Sequence, residues 1–177
     1  MGVNEFGVCA GNEALYPKKK NDGGDEKDGL IGMDLVRLVL ERAQSAHEGV
    51  DILVKLLEEF GQRGQAGYEM DHRYDNGFLV CDEKEAFLIE TWGRDWQVVK
   101  REEGVHNISN FYNTKPDDVS VQSEHLEERG KELGLVSKDG GKVDLRSNNN
   151  SFFYNLGTPH TRCKAISSHL NSLSKGF

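Results

Sequence analysis

Three observations predict an α+β fold for this chain of 177 residues. Apolar residues recur at helical spacing between 33 and 60. Four short apolar or alternating runs follow at roughly ten-residue intervals between 77 and 110, the pattern of an antiparallel meander. The opening stretch, Gly2 to Leu15, alternates Val3, Phe6, Val8, Ala10 and Leu15 with glycines at 2, 7 and 11, as a tight turn running into a strand would. The length suffices for one domain with its own core.

Residues 17–28 (PKKKNDGGDEKD) read as a polar loop without hydrophobic periodicity. The first helix, near 33–45, carries Val36, Val39, Leu40 and Ala43 on one face. Ser45 with Glu48 three residues later is a capping-box signature for a second helix, 46–60, with Val50, Leu53, Leu56, Leu57 and Phe60 inward and Gly61 as its stop. The four strand runs are Phe78–Cys81, Ala86–Thr91, Trp96–Lys100 and Val105–Asn110, separated by charged or glycine-containing turns. A loop at 113–122, a polar helix near 123–134 and a turn-rich segment at 137–151 come next. The last helix, about 161–174, lines up Cys163, Ile166, Leu170 and Leu173. No internal repeat is visible.

Composition narrows the function. A net charge of −8 argues against nucleic acid and anionic membranes, because phosphate binding needs clustered Lys and Arg. No apolar run approaches the length of a membrane span. Cys9, Cys81 and Cys163 are odd in number and form no Cys-x-x-Cys pair, which points to a reduced, cytoplasmic setting. Cys9 and Cys81, beside Val8 and Val80, are expected to be buried strand residues that react slowly with thiol reagents. His160 and Cys163 alone are too few for a zinc site.

The segment Gly2-Val-Asn-Glu-Phe-Gly-Val-Cys-Ala-Gly-Asn-Glu-Ala14 resembles the secernin and dipeptidase branch of the N-terminal-nucleophile (Ntn) hydrolases, whose members carry Gly-x-Asn-Glu-x-Gly-Val-x-x-Gly-Asn-Glu-Ala. Asp82, Glu85, Ala86, Glu90, Thr91 and Trp96 resemble a second family pattern. The resemblance covers 1–15, 29–45 and 63–110 and weakens beyond. It implies one partial domain over 1–177, part of a four-layer αββα sandwich with antiparallel strands. It also implies cysteine-type hydrolysis of dipeptides or small amides, with no metal or organic cofactor. In that family the opening segment lies downstream of the catalytic cysteine, the first residue of the mature chain. The expectation is therefore an interior piece whose nucleophile lies upstream and which is inactive alone. A non-catalytic, secernin-like binding protein linked to secretion is the alternative, and a homo-oligomer stays open.

Such an enzyme uses the cysteine thiol as nucleophile and the free α-amine as base, whose pKa of about 7.7–8.0 suits neutral pH. Uncharged amide donors suit the tetrahedral oxyanion. By resemblance, Asn12 is the family's asparagine at the end of the strand downstream of the nucleophile. Asn110 is the second asparagine, which closes a later strand and helps orient nucleophile and substrate, and Arg162 matches an arginine near the cysteine. Each asparagine is equally a turn-former at a strand end, and Arg162 a solvated cation. Glu5 and Glu13 are candidates to bind a substrate amine, or solvated acids. A separate thiol dyad built on Cys9 is disfavoured, since Cys9 occupies a variable position of the segment.

Overall fold

The computed structural model describes residues 1–21, 29–101, 104, 106–137, 141–151 and 158–174. Six strands, β1 (Gly2–Val3), β2 (Cys9–Leu15), β3 (Asp75–Cys81), β4 (Ala86–Trp92), β5 (Asp95–Arg101) and β6 (Val121–Gln122), form one antiparallel sheet in chain order. Helices α1 (Gly32–Arg42) and α2 (Ala46–Phe60) connect β2 to β3. Beyond the sheet lie a 3₁₀ turn (Pro116–Asp118), α3 (Leu126–Glu132), α4 (Leu145–Asn148) and α5 (Thr158–Ser174).

The helix pair forms where the spacing places it. Ser45 accepts from the Glu48 amide at 3.2 Å, and the Glu48 carboxylate reaches back to the Gln44 amide at 2.8 Å, one residue short of the reciprocal capping box. Gly61, at φ 73°, ends α2. Leu35, Val39, Leu53 and Leu57 pack on Ala10, Phe78, Val80, Phe87, Ile89 and Val98, one face of the sheet. Gly49 lets α2 approach closely, since a Cβ there would sit 3.1 Å from Val80. The alternate strand residues face the other way. There Leu15 and Trp92 meet Tyr112, Leu126, Leu135, Val143 and Leu145 in a second core. The α+β class thus holds, with α1 and α2 on one sheet face and α3 and α4 contributing to the core on the other; the described residues contain a single sheet.

Several expectations need correction. The opening strand is broken by a turn at Asn4–Gly7, where Asn4 Oδ1 accepts from the Phe6 and Val8 amides and Gly7 takes φ 80°. Val3 and Phe6 are exposed. Cys9 is exposed, not buried, and Cys81 is half-buried. Alternation explains this, since Val8 and Ala10 take the helix side and Cys9 the opposite one. The run expected at 105–110 forms no strand over its described residues; the place beside β5 goes to the two-residue β6. Residues 110–114 instead lie against the second sheet face, where Asn110 bonds the Ala14 carbonyl of β2 and the Asn113 and Thr114 amides bond Glu90 of β4. Ile166 and Leu170 of α5 are exposed. The part of the polar loop at 22–28 lies outside the described residues.

Candidate functional site

Adjacent residues of a strand point to opposite faces, so β2 sends Glu13 and Asn12 to different surroundings. On the face away from α1 and α2, the Asn110 amide donates to Glu13 Oε2 at 3.2 Å and to the Ala14 carbonyl at 3.0 Å. Arg162, in the first turns of α5, donates to Asn110 Oδ1 at 2.6 Å. Carboxylate, amide and guanidinium therefore stand in one hydrogen-bonded line. The structure brings Asn110 and Arg162 together, though they lie 52 residues apart.

The segment around Asn110 is held from three sides. Asn107 donates to Ser167 Oγ at 2.7 Å and accepts from the Cys163 thiol at 2.6 Å, while Phe111 stacks on His160 with ring centroids 4.0 Å apart. These contacts tie the segment to α5. The Asn150 side chain clasps the Tyr112 backbone by donating to its carbonyl and accepting from its amide. Beneath, the buried Glu90 carboxylate accepts from the Asn113 amide at 2.6 Å, the Thr114 amide at 3.2 Å and Gln97 Nε2 at 2.9 Å. The Tyr112 hydroxyl donates to the Thr91 carbonyl at 2.9 Å. Burial, then the Asp75 and Glu90 charges, raise its pKa well above the ordinary value, so it stays a donor.

Burial also raises the Glu90 pKa above its ordinary 4.5, outweighing the hydrogen bonds that favour the carboxylate. The folded chain then holds this proton to higher pH than the unfolded chain does. Glu90's contribution is most favourable below about 4.5 and declines as pH climbs to the folded pKa. Glu90→Gln, which keeps an acceptor for the loop amides, is expected to flatten that decline. Urea unfolding followed from about pH 4 to 8 checks this. An unchanged slope would assign the pH dependence elsewhere.

Asn12 occupies the helix side. Its Nδ2 donates to Asn76 Oδ1 at 3.0 Å, Asn76 Nδ2 to Gln62 Oε1 at 2.8 Å, and Gln62 Nε2 to Thr91 Oγ1 at 2.8 Å. The Thr91 hydroxyl donates to the Asn76 carbonyl at 2.7 Å, closing the network. Gly32 opens α1 against these amides, and a Cβ there would collide with both Asn76 and Asn12. The three expected site residues thus divide, with Asn110 and Arg162 together and Asn12 across the sheet.

Sequence reasoning gave no role to Glu90, Gln62, Arg63, Asp75 or Tyr112. A signal existed for Glu90 and Thr91, a charged and a hydroxylic residue inside the otherwise apolar Phe87–Trp92. Arg63 and Asp75 lie in segments without periodicity and carried none. No described helix is long and apolar enough to cross a membrane.

Residues 6–132, more than half of the chain, match the family described as peptidase family C69. A curated relative, a dipeptidase of Bifidobacterium longum (strain NCC 2705), is 28% identical over 174 residues. That match takes in 97% of this chain and 30% of the relative's length.

Proposed function

The chain belongs to peptidase family C69, and from that premise we propose that it is the substrate-holding part of a cysteine-type Ntn dipeptidase. The observation that carries the proposal is the line Glu13–Asn110–Arg162. A dipeptide presents an ammonium, an amide carbonyl and a carboxylate. Glu13 suits the ammonium, Arg162 the carboxylate by its planar fork, and the Asn110 amide the oxyanion formed between them. Substrate would displace the bonds these groups now make to one another. Asn12, whose amide is given to Asn76, enters as a positioning residue that fixes β2 and so Glu13.

In this reading, which the resemblance of the opening segment supports, the nucleophile is a cysteine N-terminal to that segment. Its thiol attacks the peptide carbonyl, its α-amine takes the thiol proton, and the leaving amine accepts that proton as the C–N bond breaks. Water then hydrolyses the thioester and frees the cysteine.

The test is hydrolysis of unmodified dipeptides by the 177-residue chain and by a protein extended upstream to a free N-terminal cysteine. The chain alone is expected to stay at background, since losing a nucleophile costs several orders of magnitude, and the extended protein to be active. Acetylating the dipeptide amine or amidating its carboxylate is expected to lower kcat/KM by about 10- to 100-fold, the worth of one charge-assisted hydrogen bond. Robust hydrolysis by the chain alone, or indifference to both blocking groups, would overturn the reading.

A further inference from the structure

Cys9 and Cys81 are direct partners in the β2–β3 register, so both side chains stand on the same face of the sheet. The hydrogen bonds around them define the kind of pair. Val8 turns its amide and carbonyl toward Asn4, on the β1 side, and so Cys9, one residue on, turns its own toward β3. The Asp82 amide donates to the Glu85 carbonyl across the β3–β4 turn, so Cys81 in turn faces β2. The two cysteines therefore form a hydrogen-bonded antiparallel pair, with a Cα separation of about 5.5 Å. That lies inside the range of about 4.4–6.8 Å that a disulfide spans. Both are free thiols, Cys9 exposed and Cys81 half-buried.

We propose that Cys9 and Cys81 form a reversible cross-strand disulfide, a redox site separate from the Glu13–Asn110–Arg162 line and independent of the catalytic reading. Cys9 is the attacking thiol because it is open to solvent. Burial, with Cys9 and Asp82 nearby, raises the Cys81 pKa and keeps it a thiol, which leaves the first attack to Cys9; Cys81 resolves because it is the register partner of Cys9. With oxidised glutathione as oxidant, the Cys9 thiolate attacks one glutathione sulfur and expels one glutathione thiolate. The Cys81 thiolate then attacks the Cys9 sulfur of that mixed disulfide and expels the second. Two protein thiols are oxidised, and one glutathione disulfide is reduced to two thiols. An exposed disulfide on a strand pair belongs to the reducible, regulatory class rather than the structural one. When formed, it ties β2 to β3 three residues before Asn12.

The experiment equilibrates the 177-residue chain across ratios of reduced to oxidised glutathione, alkylates the remaining thiols and maps the peptides by mass spectrometry. The expected result is concerted loss of two of the three thiols, a cross-linked peptide containing Cys9 and Cys81, and its full reversal by reduced glutathione. Cys81→Ser is expected to leave Cys9 as the glutathione mixed disulfide, and Cys163→Ser to leave the cross-link unchanged. The proposal fails if wild-type Cys9 accumulates the mixed disulfide with Cys81 still free. It fails equally if the cross-link joins Cys163, or if none forms at any ratio.

Discussion

Asp75→Ala is expected to destabilise the chain by about 3–5 kcal/mol, a fall in Tm of roughly 6–20 °C for a domain of this size. Asp75 is fully buried at the start of β3. Both its oxygens accept from the Arg63 guanidinium, and Oδ2 also takes the Gly93 amide at 3.1 Å. Arg63, whose side chain is only 17% exposed, sits at φ 70°, a backbone conformation a non-glycine residue adopts at a cost. The ion pair offsets that strain and pins the α2–β3 connection to the β4–β5 turn. Removing the carboxylate takes the Asp75 charge from a mostly buried guanidinium and the acceptor from the buried Gly93 amide. The double variant Arg63→Ala/Asp75→Ala is expected to lose less than Asp75→Ala alone, because no charge is stranded. Urea unfolding by tryptophan fluorescence reads both. A single-variant loss below about 1 kcal/mol, or strict additivity, would reduce the pair to a surface-type salt bridge.

Periodic elements were legible and contact-defined ones were not. The 46–60 helix was readable to the residue because Ser45, Glu48 and Gly61 mark its ends in the sequence itself. Strands β3 to β5 were readable because their turns are short and charged. The segment 105–110 misled because Val105 and Ile108 look strand-like, whereas its neighbours act through side chains: Asn107 on α5 and Asn110 on β2. Such cross-sheet contacts leave no period. Cys9 misled for a different reason. Alternation was present, but the sequence does not state which sheet face is covered at which end. Asn12 and Glu13 are neighbours in the chain, and only the pleat separates the amide network from the Asn110 line.

That separation gives the largest expected effect on activity. In the protein extended to a free N-terminal cysteine, Asn110→Ala is expected to lower kcat by about 10²- to 10³-fold, the usual cost of one oxyanion donor. Its stability should change little, because Asn110 is only half-buried and Asn107, Tyr112 and Glu90 still hold the loop. Arg162→Ala should act chiefly on KM, since a carboxylate clamp binds ground state and transition state alike. Asn12→Ala should show the opposite balance to Asn110→Ala. It strands the Asn76 Oδ1 acceptor, with a stability loss of about 1–3 kcal/mol, while kcat at a temperature well below Tm falls far less. Steady-state kinetics on dipeptides, paired with unfolding curves for the same variants, separates the roles. If Asn12→Ala lowers kcat as much as Asn110→Ala without loss of stability, the oxyanion donor belongs to the helix side of β2, and the Glu13–Asn110–Arg162 line is not where the peptide sits.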